Sequence, residues 1–356
     1  MLIWHLGNKA LNLLNSYLKD RTFSVNIDGA QSKPSTLKHG VPQGSLLGPL
    51  LYIIYTKEIE TIAARHNIQT NLYADDVQLY ISFELEDMTR TKSQLSCCLA
   101  EIKNWMDSNY LKLNTNKTQL KIFKPAKTSL DFTFDYNETK LECSNQINLL
   151  GVTISKDMDF TSFIAKKVQI CNFKLRNLNH IKDSLPFKTR ITMVTNLIIS
   201  NLDYCNSILI CASGKAIKPL QLVLNRSIRF IFNLTLNNTP YLRQLHILPI
   251  IFRIRYKACL ISFKVFNELA PKYLTGKFTK YHSTSTMSLR TVAGSRDEFM
   301  FDNKIPNGKE HFMYKIKKEW NNLPLEIRRC QTISIFKTKL KTHFFKIAFD
   351  DITSTS

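Results

Sequence analysis

The chain has 356 residues, of which 44% are hydrophobic, so the sequence predicts a globular protein of one large or two ordinary domains. Lysine and arginine outnumber aspartate and glutamate by 49 to 28, which gives a formal net charge of +21. Residues 1–160 hold 17 basic and 17 acidic residues, so the whole excess lies in residues 161–356. This half of the chain predicts an anionic partner such as nucleic acid, with a merely soluble basic surface as the alternative.

The eight cysteines lack the spacing of a metal site. They include the adjacent pair Cys97 and Cys98 but no C-x-x-C pair and no Cys/His cluster at zinc-ligand spacing. We therefore expect reduced, mostly buried thiols in an intracellular protein of the nucleus or cytoplasm. The first residues carry no signal-peptide pattern, and asparagine and aspartate interrupt the most apolar window, residues 191–212, so no membrane span is predicted.

Helical and strand periodicities alternate in the first 160 residues and give way to helices afterwards. The spacing of apolar residues predicts a helix over residues 8–18, a strand over 22–27 that turns back at Asp28 and Gly29, and a loop over 40–48. Pro49 suits the first turn of a helix that runs to about residue 59, and residues 85–106 have the spacing of a half-buried helix. The later predicted elements are a strand over 149–154, helices over 162–181, 186–210, 217–234 and 249–270, a linker over 271–299, and a helical region over 310–347 with a turn at 320–324.

Residues 71–80 place two adjacent aspartates, Asp75 and Asp76, between two short apolar segments. This pattern predicts a β-hairpin whose tight turn holds both carboxylates at the sheet surface, where they can supply oxygen ligands to a divalent cation. Two such cations can activate a 3′-hydroxyl and stabilise a leaving pyrophosphate. An Asp-Asp pair is also ordinary turn chemistry, but Tyr-Ala-Asp-Asp between apolar flanks is far more specific.

Three further motifs accompany this hairpin. Residues 40–52 read GVPQGSLLGPLLY, residues 109–118 read NYLKLNTNKT, and residues 149–154 read LLGVTI. Together with Tyr-Ala-Asp-Asp at 73–76, their order and spacing resemble the second to fifth palm motifs of reverse transcriptases, most closely those of jockey-like non-LTR retrotransposons. The resemblance covers at least residues 14–160 and implies RNA-templated DNA synthesis by two-metal nucleotidyl transfer. The implied cofactor is Mg²⁺ or Mn²⁺, and the implied partners are an RNA template, a DNA primer and deoxynucleoside triphosphates.

The same resemblance assigns roles to individual residues. It implies that Asp75 and Asp76 are metal ligands and that Lys117 is the general acid toward the departing pyrophosphate. The implied template- and substrate-binding residues are Gln43, Gly44, Ser45, Tyr73 and Gly151. The competing interpretations are a solvated turn lysine for Lys117, an ordinary turn and helix cap for the 40–48 loop, and a plain core strand around Gly151.

One part of the family pattern has no counterpart in the sequence. In the family, a further metal-binding aspartate precedes the segment that resembles residues 11–29. The acidic residues before Glu58 are Asp20 and Asp28, and neither is a convincing substitute. We therefore expect a copy truncated on the amino-terminal side of the palm, or a sequence that misses an upstream portion, with little or no polymerase activity. The alternatives are a non-catalytic nucleic-acid-binding protein and a translated relic of a retroelement.

The predicted fold is α+β. Residues 1–160 are expected to form a partial palm, an antiparallel sheet backed by helices, without fingers and without the first metal-binding motif. Residues 161–270 are expected to form a helical, basic, thumb-like region, and residues 271–356 a carboxy-terminal linker and helical region.

Overall fold

The computed structural model describes residues 7–37, 39–40, 44–123, 133–136, 139–155, 158–234, 239–280, 297–301 and 311–349. Over these residues the chain combines helices with small antiparallel sheets and is mostly helical, in agreement with the predicted α+β class. The chain divides into two compact units, one within Met1–Leu120 and Leu130–Cys143 and the other within Lys121–Ser129 and Ser144–Ser356. The predicted domain boundaries at residues 160 and 270 stay predictions. None of the described helices has the length and apolar character needed to cross a membrane.

The first unit alternates helices with short hairpins. Its helices are α1 (Asn8–Leu18), α2 (Gly48–Thr56), α3 (Glu58–Arg65) and α4 (Met88–Ser108). Its strands are β1 (Thr22–Phe23), β2 (Asn26–Ile27), β3 (Ala30–Gln31), β4 (Ser35–Thr36), β5 (Gln69–Tyr73), β6 (Asp76–Tyr80), β7 (Thr133–Tyr136) and β8 (Thr139–Glu142). The predicted helix over residues 8–18 is therefore confirmed, as is most of the helix predicted over residues 85–106.

Two details of the first unit differ from the prediction. The helix expected to run from Pro49 to about residue 59 ends at Thr56, and α3 then begins at Glu58. The strand expected over residues 22–27 is split into β1 and β2. Its reversal is confirmed, because Asp28 and Gly29 have φ values of 49° and 86° and form the two-residue turn between β2 and β3.

The core of the first unit lies between α3, α4 and the hairpin formed by β5 and β6. Leu72, Val77 and Leu79 of the hairpin pack against a buried cluster of the two helices and the segment between α3 and β5. The members of this cluster are Ile59, Ile62, Ala63, Ile68, Cys98, Ile102 and Met106. Helix α4 therefore packs its apolar residues against one face of the hairpin, as their helical spacing predicts.

Helix α4 ends through its backbone geometry. Tyr110 has a φ of 56°, in the left-handed region, and the N–H of Leu111 donates a hydrogen bond to the Met106 carbonyl at 2.9 Å. This is the arrangement of a left-handed helix C-cap, in which a free carbonyl of the last turn is satisfied by the following loop.

The second unit is a helical body with one hairpin. Its strands are β9 (Gln146–Leu149) and β10 (Val152–Ser155). Its helices are α5 (Thr161–His180), α6 (Phe187–Met193), α7 (Ser200–Asp203), α8 (Gly214–Phe232), α9 (Thr239–Gln244), α10 (Ile250–Phe266), α11 (Lys272–Thr275), α12 (Phe312–Asn321), α13 (Leu325–Arg328) and α14 (Ile333–Phe349). A π-helical segment (Val194–Ile199) joins α6 to α7, and a 3₁₀ segment (Asn206–Cys211) follows.

Two predictions for the second unit are wrong. Residues 149–154 are not one strand, because Leu150 and Gly151 form the two-residue turn between β9 and β10. The helix predicted over 186–210 ends at Asp203, where Tyr204 is extended and Cys205 has a φ of 50°. The linker or loop predicted over 271–299 stays a prediction, because residues 281–296 lie outside the described part of the chain. The described residues at its ends include α11 and the buried Phe299.

Two apolar clusters fill the second unit. The first joins β10, α5, the π-helical segment and α8, and it includes Leu220 and Ile228, which are fully buried. The second surrounds Trp320 of α12, whose ring lies 5.1 Å from that of Phe266 and 5.9 Å from that of Phe336. Phe345 and Ala348 of α14 pack against both clusters.

The eight cysteines are free thiols. The buried ones are Cys98, Cys171, Cys259 and Cys330, whereas Cys97 and Cys143 are exposed and the other two are half-buried. The expectation that most of them would be buried therefore holds for only half of the set.

Candidate functional site

The hairpin of β5 and β6 positions the two aspartates differently from each other. Tyr73 pairs with Asp76, so Ala74 and Asp75 are the two residues of the turn. Ala74 has a φ of 51°, in the left-handed region that an alanine rarely adopts. Both aspartates were predicted to lie on the turn, but Asp76 is instead the first residue of β6.

The two faces of the hairpin have opposite character. The inner face packs Leu72, Val77 and Leu79 onto the core of the first unit. The outer face carries the cross-strand pairs Tyr73 with Asp76, Asn71 with Gln78, and Gln69 with Tyr80. Because side chains alternate along a strand, the apolar inner residues fix Tyr73 and Asp76 on the outer face.

The outer face is polar and open. Tyr73 and Tyr80 are 61% and 53% exposed, and Asn71 Nδ2 donates a hydrogen bond to Gln78 Oε1 at 3.2 Å. The Asp76 side chain therefore shares a solvent-exposed face with amide and phenol groups that can hydrogen-bond to a ligand.

Tyr52 of α2 is a neighbour of the turn that the sequence analysis did not single out as a site residue. Burial raises the pKa of its phenol, and the negative charge of Asp75 raises it further. The phenol therefore stays protonated at neutral pH. The signal in the sequence is helical spacing, because Gly48, Tyr52 and Thr56 fall on one face of α2, and Gly48 and Thr56 are buried.

Asp75 and Asp76 are the right kind of ligand for magnesium, which prefers carboxylate oxygens. They are only two side chains, and the described residues contain no group of three or more His, Cys, Asp or Glu side chains close enough to hold a metal ion. The donor chemistry thus fits part of a divalent-metal site. Two such cations would carry four positive charges, of which these two carboxylates offset half.

The loop over residues 40–48 is described in part. Gln43 lies outside the described residues, and Gly44 has a φ of 83° with no atom within 4 Å of the position that a Cβ would take. The hydroxyl of Ser45 is hydrogen-bonded to the hydroxyl of Tyr17 and accepts a hydrogen bond from the Gly48 N–H at 3.0 Å. Ser45 therefore holds the start of α2 in place.

Lys117 lies in a 3₁₀ turn (Thr115–Lys117) and is exposed. Its N–H donates to the Asn114 carbonyl at 3.2 Å, which fixes the backbone of the turn. Among the described residues, no hydrogen bond or ion pair joins its ammonium group to Asp75 or Asp76. Its predicted role stays a prediction.

Gly151 belongs to the second unit. Its φ is 78°, that of Leu150 is 48°, and a Cβ on Gly151 would lie 3.6 Å from Cε1 of Tyr204. The Tyr204 hydroxyl donates a hydrogen bond to the Leu150 carbonyl. The close approach that a glycine permits is made here by a tyrosine of the same unit, and a direct nucleic-acid contact at Gly151 stays a prediction.

Comparison with known families identifies one match. Residues 5–154 match the model of the family described as reverse transcriptase (RNA-dependent DNA polymerase). This range contains the hairpin of β5 and β6, the loop before α2 and the turn that holds Lys117.

Curated relatives extend the similarity into the second unit. The chain is 26% identical over 254 residues to the probable RNA-directed DNA polymerase from transposon BS of Drosophila melanogaster, covering 64% of the chain and 27% of the relative. It is 23% identical over 226 residues to the RNA-directed DNA polymerase from mobile element jockey of the same species, covering 57% and 24%. It is 22% identical over 244 residues to the probable RNA-directed DNA polymerase from transposon X-element, also of that species, covering 64% and 26%.

The chain therefore spans about a quarter of the length of these relatives. No solved structure gives a significant match.

Proposed function

Because the chain carries a reverse transcriptase domain over residues 5–154 and is related to the polymerases of jockey-like non-LTR retrotransposons, we propose that it derives from the DNA-synthesising protein of such an element. The reaction of the intact enzyme would be RNA-templated DNA synthesis, with deoxynucleoside triphosphates as substrates. The chain by itself would bind nucleic acid with little or no synthesis.

The proposal rests on the hairpin of β5 and β6. Its inner residues pack onto the core formed by α3 and α4, so its position within the first unit is fixed. That packing presents Asp75 in the turn and Asp76 on the outer face beside Tyr73. Two adjacent carboxylates, one in the turn and one at the start of β6, are held on a hairpin whose inner face packs onto the core and which lies within the matched family range. This arrangement supports a metal-binding role better than a solvent-exposed loop would.

Each residue would act through a specific group. Asp75 and Asp76 would donate carboxylate oxygens to Mg²⁺ or Mn²⁺, and such cations, when bound, activate the primer 3′-hydroxyl and offset charge on the leaving pyrophosphate. Lys117 would donate a proton to that pyrophosphate. Tyr73, together with Gln43, Gly44 and Ser45 of the loop before α2, would contact the template or the incoming nucleotide.

The reason to expect little synthesis is the charge at the site. Asp75 and Asp76 offset two of the four positive charges of a metal pair, and the described residues bring no third carboxylate to them. The loss of a ligand shared by two metals costs several kcal/mol of transition-state stabilisation, which corresponds to roughly a thousandfold in rate.

The partners would be an RNA template and a DNA primer, held mainly by the second unit. By sequence, the second unit has 36 basic and 13 acidic residues, whereas the first has 13 and 15. The helices of residues 161–270 would contact the phosphates of a primer–template duplex as a thumb does, and such contacts position a duplex without reading its sequence. The protein would act in the nucleus or in the cytoplasm.

The test is extension of a DNA primer on an RNA template in the presence of magnesium, together with measurement of duplex affinity. The informative variant is Asp75→Asn with Asp76→Asn, which keeps the side-chain shapes and removes two charges. The matched control is Glu84→Gln with Glu86→Gln, which removes two exposed carboxylates that follow β6 in the sequence.

We expect no measurable incorporation by any of the three proteins and salt-sensitive duplex binding by all of them. Incorporation that the aspartate variant loses and the control keeps would support the metal role of the hairpin and overturn the expectation of inactivity. Incorporation that survives in the aspartate variant would overturn the assignment of Asp75 and Asp76. Absence of duplex binding would overturn the proposed partners.

A second candidate function is non-catalytic nucleic-acid binding, with the first unit as a scaffold only. The charge distribution favours it, because a net charge of +23 by sequence lies in the second unit, outside the hairpin. The two candidates differ in the role of the first unit: only the polymerase origin predicts that a divalent cation binds to the chain and is lost with Asp75→Asn and Asp76→Asn.

A further inference from the structure

A cationic pocket lies in the second unit, and none of its lining residues belongs to the polymerase motifs named above. It is formed by α9 and the turn after it, by α10 and by α14, and its volume is about 500 Å³. Its cationic lining residues are Arg243, Lys337, Lys341 and Lys346, and its large aromatic lining residues are Tyr256 and Phe345. This volume is in the range of pockets that bind small molecules, roughly 300 to 1,000 Å³.

The described lining of the pocket is rich in cationic side chains. Three lysines line it together with an arginine and a histidine, and its described lining includes no aspartate or glutamate. Helix α14 has no acidic residue in its 17 positions, and Lys337 and Lys341 are one turn apart on its surface. Like charges at this spacing repel each other and destabilise a helix. An anion bound between them would remove that cost.

The aromatic residues of the pocket indicate which class of anion it binds. The Lys341 ammonium lies 5.7 Å from the centre of the Phe345 ring, and the His246 ring lies 5.9 Å from the same ring at an angle of 43°. Phe345 and Tyr256 are half-buried, so part of each ring faces the pocket. Proteins bind single-stranded nucleic acids with cations placed next to accessible aromatic rings. The phosphates contact the cations, and the bases stack on the rings.

We propose that this pocket binds a nucleotide of single-stranded nucleic acid, with its phosphate at Lys337, Lys341 and Lys346 and its base against Tyr256 and Phe345. The proposal rests on the proposed function in one respect, that the chain binds nucleic acid. It goes beyond it by placing a single-strand site between α14 and the helices α9 and α10, on residues that do not belong to the Asp75 hairpin. A free nucleotide has the same chemistry, so the experiment has a separate arm for it.

The experiment measures the affinity of the full chain for a fluorescent oligouridylate between 50 and 300 mM NaCl. The pocket variant is Lys337→Gln with Lys341→Gln and Lys346→Gln. The charge-matched control is Lys272→Gln with Lys277→Gln and Lys339→Gln, three exposed lysines of the same unit that do not line the pocket, one of them on α14 itself. A second pocket variant, Thr342→Glu, adds a negative charge at an exposed position of α14 with a residue that favours helix.

We expect the pocket variant to weaken binding about tenfold at 100 mM NaCl and to lower the slope of log affinity against log salt by about 2, since each phosphate contact in a single strand contributes about 0.7. The control should change affinity less than about threefold, because lysines that do not line the pocket contribute only through net charge. Thr342→Glu should weaken binding while circular dichroism shows unchanged helix content.

Three results would overturn the proposal: equal losses in the pocket variant and the control, unchanged binding in both, or displacement of the oligonucleotide by polyglutamate of matched charge as effectively as by unlabelled oligouridylate. Displacement by uridine monophosphate at millimolar concentration would support a pocket for a single nucleotide, and displacement by oligonucleotides alone would support a site on a polymer. Failure of the proposed function is distinguishable, because the unaltered chain would then bind no nucleic acid at all.

Discussion

Ala74 has an unfavourable backbone conformation in the turn between β5 and β6. Its φ of 51° is in the left-handed region, where the Cβ of an alanine is crowded and glycine has no penalty. We expect Ala74→Gly to stabilise the hairpin by about 1 kcal/mol, because relief of this crowding exceeds the entropy that glycine gains in the unfolded chain. Native-state hydrogen exchange of peptides that cover β5 and β6 measures this change.

The control for this prediction is the same substitution where the backbone is helical. Ala100 is an exposed residue in the middle of α4, and Ala100→Gly should destabilise that helix by about 1 kcal/mol. The opposite signs of the two changes separate a turn effect from a general effect of glycine. A loss of stability from Ala74→Gly similar to that from Ala100→Gly would show that the turn carries no strain.

At the residue scale, the sequence predicts which side chains carry chemistry better than it predicts which residues pack next to them. The positions of Asp75 and Asp76 at the end of a buried hairpin follow from the apolar flanks, which is a local pattern. Tyr52 becomes a neighbour of Asp75 only through the packing of α2, which a local pattern does not describe. The same holds for Gly151, whose close contact is Tyr204, 53 positions later in the chain.

At the scale of elements, a glutamate joins α3 to α4. Glu101 accepts a hydrogen bond from His66 Nε2 at 2.8 Å and pairs with the guanidinium of Arg65. The hydrogen bond from His66, followed by that from Arg65, lowers the pKa of Glu101 below its ordinary value of 4.5. A carboxylate with a lowered pKa in the folded state contributes stability above its ordinary pKa, and this contribution disappears as the pH falls through the folded value.

We therefore expect the stability difference between the unaltered chain and Glu101→Gln to be constant near neutral pH and to vanish as the pH falls below 4.5. Urea midpoints, followed by circular dichroism from pH 7 to pH 3, measure this difference. Glu60→Gln on α3 is the control, because Glu60 is exposed and has no ion pair among the described residues. A difference for Glu101→Gln that persists unchanged at pH 3 would show that packing, not charge, accounts for the effect of Glu101.

Helices with a local apolar repeat were predictable from the sequence, and elements defined by an unusual backbone angle were not. Residues 8–18 have a repeat that alone defines α1. The error at residues 149–154 comes from Leu150, which lies within an apolar run but has a φ of 48°, in the left-handed region that leucine rarely adopts. The error at residues 186–210 comes from the backbone after Asp203, where Tyr204 is extended and Cys205 has a φ of 50°.

At the scale of the whole molecule, charge and structure divide the chain at different points. The net charge of the sequence changes at residue 160. The chain instead passes from one compact unit to the other near residues 120 and 143. The pairing of Leu120 with Cys143 keeps the hairpin of β7 and β8 with the first unit, although residues 121–129 belong to the second. Such a non-local pairing leaves no periodic signal in the sequence, so sequence patterns do not predict the boundary between the two units.

The charge division itself leads to a prediction about salt. By sequence, the second unit has a net charge of +23 and the first has −2, so phosphate contacts should be concentrated in the second unit. We expect the affinity for a single-stranded oligonucleotide to fall roughly a hundredfold between 50 and 200 mM NaCl, the fall expected when about five phosphates are neutralised. Fluorescence anisotropy at four salt concentrations measures the slope.

Asp75→Asn with Asp76→Asn tests where that affinity originates. If the second unit supplies the phosphate contacts, this variant should keep the salt slope of the unaltered chain, because the number of counterions released depends on the cations that touch the strand. A slope that changes by about one unit or more would mean that the hairpin face takes part in binding the strand. An affinity that does not respond to salt would mean that the charge of the second unit has a structural role and that nucleic acid is not its partner.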